Sequence, residues 1–467
     1  MLVPTSILRR VVAVSALVLL AGPVGADAPP PDWQQVTDQT ARLLSDYIRI
    51  DTSNPPGNTV EAAAFLAAEL SRAGIRSEMI AGKPGKPVLI ARLPGRGGRA
   101  KPIILLNHMD VVPADPARWS FPPFSGEIRD GIIYGRGALD MKGLGAAMLV
   151  AMRLLKERGE LPERDLVFMA VPDEEVGGTD GAAWMAQHRP DLLDAEAVWD
   201  EGGIGSTDLL PAPALMISVA EKGVLWLKLS VEGPAGHGSK PFPGAAPRRL
   251  VEALTRVLDN PPAPRLTPIS REVFRRVGAQ VSGMEGFALR RLKNPVVWLF
   301  ADGLLQQEPW AAAMTRDTIS LTMLDAGYKP NVIPERAEAV LDCRLLPDTK
   351  PDAFLAALRE TIDDPNVQIE ILQAPAPTAP SPTDAPLFQA MQRAAEQVYP
   401  GVVVTESMTL GGTDSRFFRH RGVPAYGFFP VLLSKEYTSS IHAVDERIPA
   451  AALGDAVRVL YEALRTL

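Results

Sequence analysis

Strand-like and helix-like segments alternate from Trp33 to about Asp208, and this alternation constrains the fold more than any other feature of the chain. Two segments have helical periodicity and an apolar face, VEAAAFLAAELSRAG with a glycine stop signal and GLGAAMLVAMRLLKERG with a basic last turn. Short apolar runs typical of buried strands lie around them: KPVLIARL, PIILLNH, DLVFMAVPDEE and AEAVWDEGG. This β-α-β order predicts an α/β fold with a mostly parallel sheet covered by helices.

The pattern changes near Glu221, where KGVLWLKLSVEG alternates apolar and polar residues like a strand with one solvated face. A helix, two strands, a helix and a strand follow, and this order fits a small α+β sandwich of ferredoxin-like type. Residues from about 260 to 315 interrupt it with a helical insertion that the pattern does not place. The apolar part of this insertion is consistent with either a pocket wall or ordinary packing.

A proline-rich segment, QAPAPTAPSPTDAP, then leads back to segments of the first type. We therefore expect one catalytic α/β domain formed by residues 33–220 and 385–467. Residues 221–374 are expected to form a second domain inserted into it. The length of 467 residues also favours two domains over a single core.

The N-terminus has the composition of a secretory signal peptide rather than of the fold. Arg9 and Arg10 precede an apolar stretch from Val11 to Leu20, and small residues follow it. The stretch is shorter than the roughly 20 residues that a membrane span needs. We expect residues 1–26 to be removed, the protein to be exported to a periplasm or beyond, and no stable membrane insertion afterwards.

Composition excludes some classes of partner. A net charge of −7 argues against a nucleic-acid surface, and no basic run reverses that. The chain has a single cysteine, Cys343, so no intrachain disulfide can form even in an oxidising compartment.

The segment LLNHMDVVP, residues 105–113, ends a hydrophobic run with His108 and places Asp110 two residues later. Side chains at positions i and i+2 of a strand face the same way. The Asp110 carboxylate could therefore accept the ring N–H of His108 and leave the other ring nitrogen for a metal. The pair is short and common, and it could equally be the polar end of a strand.

Other ligand-type residues occupy comparable places in the chain. Residues 173–175, Asp-Glu-Glu, and residues 200–201, Asp-Glu, end two of the other predicted strands. Asp140 lies in a glycine-rich loop just before a helix, and His442 lies in a loop near the C-terminus. Ligands of open α/β sheets bind at the carboxyl ends of the strands, so we expect these side chains to converge.

Each of these residues alone has an ordinary explanation, such as a solvated turn, a helix cap or a loop histidine. Together, two imidazoles and three or four carboxylates suit a pair of divalent ions, of which zinc is the first choice. Adjacent glutamates have a specific use in such a site. One can bind metal while its neighbour handles the proton of a water molecule.

The chain resembles the dinuclear zinc peptidases of family M20, which include aminoacylase-1, the G-type glutamate carboxypeptidase and carboxypeptidase S. The resemblance spans residues 100–445, and PPFSGEIRDGIIYGRGALDMKG is most similar to the branch of carboxypeptidase S and the N-acyl amino acid hydrolases. It is carried by motifs in the family's order: HMDVVP, WSFPPFSGEIRDGIIYGRGALDMKG, PDEEVGG, DEGG, GPAGHGS, NVIP, GGTDSR and the late His442.

The resemblance implies two Zn²⁺ ions per subunit, with Co²⁺ or Mn²⁺ as substitutes. The implied ligands are His108, Asp140, Glu175, Glu201 and His442. Asp140 would bridge the two ions, with His108 and Glu201 on one and Glu175 and His442 on the other. Asp200 stays an alternative to its neighbour Glu201.

The resemblance also implies the catalytic and substrate-binding residues. Glu174 would be the general base, Asp110 would orient His108, and His237 would reach a neighbouring subunit's active site and stabilise the oxyanion. The inserted domain would be a lid and dimerisation domain. It also implies that Asn331 and Arg344 bind the substrate's carbonyl or carboxylate. The segment GGTDSR, at a predicted helix N-terminus, offers the backbone N–H groups of Gly412 and Thr413 to an anion, with Arg416 as a helper. From the residues alone, Arg344 could equally pair with Asp342 or Asp348 on the surface.

The expected function is hydrolysis of an amide bond next to a free C-terminal amino acid, by a homodimer that acts on a peptide or an N-acyl amino acid. An aminopeptidase or dipeptidase of the same clan is the alternative among enzymes. A non-catalytic zinc-dependent binding protein is a further alternative, but Glu174 argues against it, since a binding site needs no unliganded base.

Overall fold

A mostly parallel sheet carries the strands whose ends were expected to meet. The computed structural model describes residues 29–98, 100–374 and 378–467, and Trp33–Leu467 form one compact unit. The expected signal peptide, residues 1–26, lies outside the described residues. No helix among those described has the length and apolar character needed to cross a bilayer.

In chain order, the strands of the described residues are β1 (Ser77–Lys83), β2 (Lys86–Leu93), β3 (Ile103–His108), β4 (Ile128–Arg129), β5 (Ile132–Tyr134), β6 (Leu166–Val171), β7 (Ala197–Ser206), β8 (Ala214–Glu221), β9 (Gly223–Glu232), β10 (Gly236–His237), β11 (Thr318–Ala326), β12 (Val332–Ile333), β13 (Arg336–Leu345), β14 (Val367–Gln373), β15 (Val403–Thr409), β16 (Ala425–Leu433) and β17 (Arg447–Pro449). The helices, in the same part of the chain, are α1 (Trp33–Ile48), α2 (Val60–Arg72), α3 (Lys142–Arg158), α4 (Ala182–His188), α5 (Ala246–Asp259), α6 (Pro268–Gln280), α7 (Gly283–Leu289), α8 (Pro295–Leu305), α9 (Pro309–Thr315), α10 (Pro351–Ile362), α11 (Pro386–Val398), α12 (Ser415–Arg419), α13 (Lys435–Thr438) and α14 (Ala450–Leu464).

The larger sheet has the strand order β1-β2-β6-β3-β7-β16-β8-β15. Strands β6, β3, β7 and β16 run parallel to one another, while β1 and β2 add an antiparallel edge. Every residue of β3 and β6 is buried, as expected for parallel strands covered on both faces. The predicted α/β class with a mostly parallel sheet is confirmed.

Helix α3 brings the Asp140 loop against the sheet. It packs against β3, α1 and α14, and small residues in its first turns permit close contact. A Cβ atom added at Gly145 would come 3.0 Å from the side-chain oxygen of Asn107 on β3. The helix ends in a basic turn at Gly159, whose positive φ of 68° favours glycine. Asp140 therefore lies at the start of a helix whose position the packing determines.

The second sheet has the order β11-β13-β9-β14, and all its strands are antiparallel. Helices α5 and α10 pack against each other, and α5 also packs on the sheet. Together they enclose a hydrophobic cluster that includes Leu227, Leu341 and Leu358. This is the strand order of a ferredoxin-like sandwich. In the chain it lies between β8 and β15 of the larger sheet; the domain boundaries given above stay a prediction.

The insertion at residues 260–315 consists of α6 to α9. Helix α6 packs against β15 of the larger sheet, so the insertion contacts the main hydrophobic core through residues such as Val273 and Val277. Helices α7 to α9 line an apolar cavity of about 610 Å³. Leu299 and Phe300 of α8 lie largely exposed.

Candidate metal centre

The five expected ligands lie in five separate segments of the chain, within or beside the larger sheet. His108 is the last residue of β3, and Asp140 precedes α3. Glu175 lies in a short 3₁₀ helix that follows β6, and His442 lies between α13 and β17. Glu201 lies within β7, which continues to residue 206, but the pairing of β7 with β3 ends at residue 199. Glu201 is thus beside the carboxyl end of β3.

Two groups of ligand atoms share one aspartate. His108, Asp140 and Glu201 form one group, and Asp140, Glu175 and His442 form the other. The two carboxylate oxygens of Asp140 face different histidines: Oδ1 lies 3.1 Å from His108 Nε2, and Oδ2 lies 3.0 Å from His442 Nε2. One carboxylate therefore contributes an oxygen to each group.

The separations within each group suit a metal ion. The Nε2 atom of His108 is 3.5 Å from Oε1 of Glu201, and Nε2 of His442 is 3.3 Å from Oε2 of Glu175. Tetrahedral N and O ligands at about 2.0–2.2 Å from zinc lie about 3.3–3.6 Å from one another. The mixed imidazole and carboxylate donors also match zinc. The described residues thus hold two adjacent candidate metal positions.

The orientation of His108 differs in detail from the expectation. Its ring Nδ1–H donates to the backbone carbonyl of Asp110 at 2.8 Å, whereas the nearer carboxylate oxygen of Asp110 lies 3.8 Å away. Asp110 follows the end of β3, so the alternation of a strand does not set its side-chain direction. With Nδ1 held by this carbonyl, Nε2 of His108 still points at Asp140 and Glu201, as a metal ligand requires.

The Asp110 carboxylate contacts the glutamate pair instead. It accepts the backbone N–H of Glu174 at 3.2 Å and that of Glu175 at 3.3 Å. Its other partner is the side-chain amide of Asn54, at 2.8 Å, which also reaches Asp173 at 3.3 Å. Asp110 is fully buried. It therefore anchors the short helix that presents both glutamates.

Glu174 lies beside both ligand groups but belongs to neither. Burial, and then the charge of Glu201, raise its pKa well above the usual value. Burial, and then the charge of Asp140, raise the pKa of Glu201 in the same way. Hydrogen bonds to Asp140 and Glu175 raise the pKa of His442 to about 10. The cluster thus holds more negative charge than its histidines balance, and two divalent cations would supply the missing positive charge.

The structure separates Asp200 from Glu201. Asp200 is buried on the opposite side of β7 and accepts the Ser415 hydroxyl at 2.7 Å. Glu201 alone of the two faces His108 and Asp140. The geometry therefore favours Glu201 as the ligand.

His237 and Asn331 lie together at a small two-stranded sheet. Strands β10 and β12 form a two-stranded ribbon in which His237 pairs with Val332. The Asn331 carbonyl accepts the backbone N–H of Gly238 at 2.9 Å. Both side chains are exposed. Within the described residues, no hydrogen bond or ion pair joins either of them to the candidate metal ligands.

The segment GGTDSR makes contacts within the protein. Thr413 donates its backbone N–H to Glu221 at 2.5 Å, so this amide is not free for a substrate. Arg416 donates to the Thr413 carbonyl at 2.8 Å and to the Gly177 carbonyl at 2.9 Å. Arg416 thereby ties α12 to the turn that carries Glu174.

Arg344 pairs with Asp342, one of the two carboxylates named as its possible partners from the sequence. Its guanidinium pairs with both oxygens of Asp342, at 2.6 and 2.9 Å. Nη1 of the same guanidinium would be 4.0 Å from a Cβ atom added at Gly411. Arg344 therefore borders the glycine pair 411–412.

Two residues without an expected role, Arg136 and Glu446, pair beside the ligands at 2.7 Å, both buried. Arg136 lies in the glycine-rich loop that carries Asp140, and Glu446 follows His442 by four residues, but 310 positions separate the two. No local pattern predicts such a pair. The hydrogen bond between Asn54 and Asp110 cannot be predicted locally either, because 56 residues separate them.

The arrangement matches known proteins across most of the chain. The sequence model of peptidase family M20/M25/M40 matches residues 104–466. N-fatty-acyl-amino acid synthase/hydrolase PM20D1 of Homo sapiens is 34% identical over 375 residues, which cover 78% of this chain and 74% of that protein. Aminoacylase-1 of Sus scrofa is 30% identical over 440 residues, which cover 91% of this chain and 94% of that protein.

A solved structure agrees with the fold. The M20 family metallo-carboxypeptidase Sso-CP2 from Sulfolobus solfataricus superposes with a TM-score of 0.68 at 22% identity. The match covers 92% of this chain and 99% of that one. The family model, the two relatives and this fold agree, and the chain therefore belongs to peptidase family M20/M25/M40, as a hydrolase of amide bonds.

Proposed function

We propose that this hydrolase cuts the amide bond between an acyl or peptidyl group and a free C-terminal amino acid. The observation that carries the proposal is Asp140 shared between two ligand groups, with Glu174 beside both groups and in neither. The relatives favour this substrate class, because their names refer to N-fatty-acyl amino acids and to aminoacylase.

In the proposed site, His108 and Glu201 would hold one zinc ion, Glu175 and His442 would hold the other, and Asp140 would contribute to both. When bound, the ions supply Lewis acidity at the scissile carbonyl and make water a better nucleophile. Co²⁺ or Mn²⁺ would serve as substitutes.

Glu174 is the proposed general base. It takes a proton from the attacking water and later gives it to the leaving nitrogen. Asp110 holds the backbone that carries this side chain by accepting the Glu174 N–H. Because Glu174 lies in neither ligand group, its carboxylate is available for proton transfer. This availability also argues against a binding protein without catalysis.

His237 is the proposed oxyanion donor, acting from the partner subunit of a homodimer. The backbone N–H of Ser239 donates to His237 Nδ1 at 3.2 Å, and the Ser239 hydroxyl lies 2.8 Å from the same atom. A backbone amide can only donate, so Nδ1 is the unprotonated nitrogen and Nε2 carries the hydrogen. An exposed Nε2–H can donate to a developing oxyanion. We propose that Asn331 acts with it on the substrate carbonyl.

The substrate carboxylate is proposed to bind near Arg344, Gly412, Thr413 and Arg416. Arg344 borders the glycine pair 411–412 and supplies positive charge there. Its present partner Asp342 would have to share the guanidinium with the substrate. An aminopeptidase or dipeptidase is the second candidate, and it needs a site for the free amino group of its substrate. We also propose that the signal peptide exports the protein.

The deciding experiment measures release of free amine from three matched substrates in the presence of zinc. They are an N-acyl amino acid, its C-terminal carboxamide, and the dipeptide with a free amino group. We expect cleavage of the N-acyl amino acid, weak cleavage of its carboxamide, and no requirement for a free amino group. Equal cleavage of acid and carboxamide, or cleavage of the free dipeptide alone, would contradict it. Glu174→Gln serves as the background control.

A further inference from the structure

We propose that the buried pair Arg136–Glu446 is a positioning device that holds Asp140 and His442 as one unit, and so sets the affinity for both metal ions. The inference rests on the proposed two-metal function. Neither residue is a ligand. Each acts through the backbone of the loops that carry the ligands.

Glu446 accepts hydrogen bonds from four groups of the Asp140 loop. Its Oε1 accepts the backbone N–H of Leu139 at 2.7 Å and that of Asp140 itself at 3.1 Å. Its Oε2 accepts the backbone N–H of Gly137 at 3.1 Å and Nη1 of Arg136 at 2.7 Å. By accepting these four hydrogen bonds, the Glu446 carboxylate holds the backbone of the Asp140 loop in place.

Arg136 completes the link in the other direction. Its Nη2 donates to the backbone carbonyl of His442 at 3.4 Å. The Glu446 carbonyl accepts the backbone N–H of Gly135 at 2.8 Å, next to Arg136. The loop of Asp140 and the loop of His442 are therefore joined in both directions through this pair.

The His442 loop needs such support because its backbone is strained. His442 and Asp445 have positive φ values of 59° and 54°, which residues with a Cβ atom adopt at a cost. Asp445 is held by Ser120, whose N–H and hydroxyl both donate to it at 2.8 Å. The His442 carbonyl has Arg136 as its partner.

Asp140 is the ligand that both ions share, so a small displacement of its backbone alters both coordination spheres. Ligand sites need their groups held within about 0.5 Å. Residues behind the ligands typically change metal affinity by about 10- to 100-fold when replaced. If the pair had a merely structural role, its loss would lower the stability of the fold and leave the metal affinity unchanged.

The test compares Glu446→Gln with Glu160→Gln. A glutamine keeps the size of Glu446 but replaces one accepting oxygen by an NH₂ group, which faces N–H donors. Glu160 pairs with Arg158 at 2.9 Å near the end of α3 and serves as a matched control. For each full-length protein, Zn²⁺ affinity is measured by competition with a chromogenic chelator. The visible spectrum of the Co²⁺ form and the unfolding midpoint are recorded as well.

We expect Glu446→Gln to bind both zinc ions about 10- to 100-fold more weakly, with an altered cobalt spectrum, while Glu160→Gln stays within twofold of wild type. Wild-type zinc affinity and an unchanged cobalt spectrum in Glu446→Gln would overturn the proposal. If Glu446→Gln does not fold, Arg136→Lys decides. It keeps a cation for Glu446 but cannot also reach the His442 carbonyl, so unchanged zinc affinity there overturns the proposal equally. A wild-type protein that binds no pair of ions would instead refute the proposed function.

Discussion

Asp140 is the residue on which both proposed metal positions depend. Its two carboxylate oxygens lie 3.1 and 3.0 Å from the two ligand histidines. Burial alone would raise the pKa of Asp140, but the hydrogen bonds to those histidines outweigh burial and lower this pKa. A group of this kind cannot be replaced by its neighbours, because each of them faces only one of the two positions.

Replacing Asp140 should therefore remove both ions at once. We expect Asp140→Ala to hold less than one equivalent of zinc after dialysis and to lose amide hydrolysis entirely. Metal content by atomic spectroscopy, together with zinc titration, measures this. Glu175→Ala is the comparison, since it should weaken one position more than the other. Two tightly bound ions in Asp140→Ala would contradict the shared-ligand geometry.

Glu174 should behave in the opposite way. Because it lies in neither ligand group, Glu174→Gln should retain the zinc content of the wild type. Loss of general acid–base help should lower kcat by about 10²- to 10⁴-fold. Initial rates and metal content measured on the same preparation test both parts. A variant within a few-fold of wild type would assign the proton transfer to another residue.

At the scale of secondary-structure elements, an ion pair between a helix and a turn stabilises the edge of the ferredoxin-like sandwich. Arg249 of α5 donates to both oxygens of Asp364, at 2.9 and 2.7 Å, beyond the end of α10. Asn366 adds its backbone N–H to the same carboxylate at 2.9 Å. These contacts join α5 to the turn between α10 and β14.

This pair should make stability depend on pH. The Arg249 hydrogen bond lowers the pKa of Asp364 to about 2, below the usual value of about 3.9 in an unfolded chain. The stabilisation is therefore complete above pH 4 and is lost as the pH falls toward 2. Asp364→Asn should lower the free energy of unfolding by about 1 kcal/mol at pH 7, and the difference from wild type should shrink below pH 4.

Unfolding midpoints of the metal-free protein at pH 7, 5, 4 and 3 measure this difference. Glu252→Gln is the control on the same helix, since it removes an exposed pair with Arg248 at 2.8 Å. That variant should differ from wild type by only a few tenths of a kcal/mol. A constant difference between Asp364→Asn and wild type over the whole pH range would show that the ionised pair is not the cause.

At the scale of the whole molecule, the described chain leaves His237 without a contact to the candidate metal ligands. A homodimer in which His237 of one chain serves the centre of the other would account for this. His237→Ala should then lose about 10²- to 10³-fold in turnover while still binding zinc. His188→Ala is the control, because His188 is exposed and stacks on Trp184.

Mixing two inactive variants tests whether the site is shared between subunits. In a heterodimer of His237→Ala and Glu174→Gln, one site carries both lesions and the other carries neither. Random exchange of subunits should restore about a quarter of the wild-type activity, since half of the dimers have one intact site of two. Verified heterodimers that stay inactive would refute a role of His237 across the interface.

Local sequence determined the elements and their type. Strand β6 is apolar throughout, β3 is apolar up to Leu106, and both lie where the sequence predicts a strand. These signals are local because hydrophobic periodicity records which face of a single element is buried. Strands β1, β8 and β15 went unpredicted, since their place depends on the partners that the folded sheet provides. Strand ends and the resemblance to one family likewise predicted the candidate ligands that the structure brings together.

Tertiary structure alone decided which polar groups meet. It chose the backbone carbonyl of Asp110 over its carboxylate as the partner of His108, and it committed the Thr413 amide to Glu221. It also brought Arg136 to Glu446 across 310 residues. Sequence patterns report burial and secondary structure, whereas these contacts follow from strand order and from the need of each buried polar group for a partner. That need is met only when the whole chain has folded, because partners such as Arg136 and Glu446 come from loops far apart in the chain.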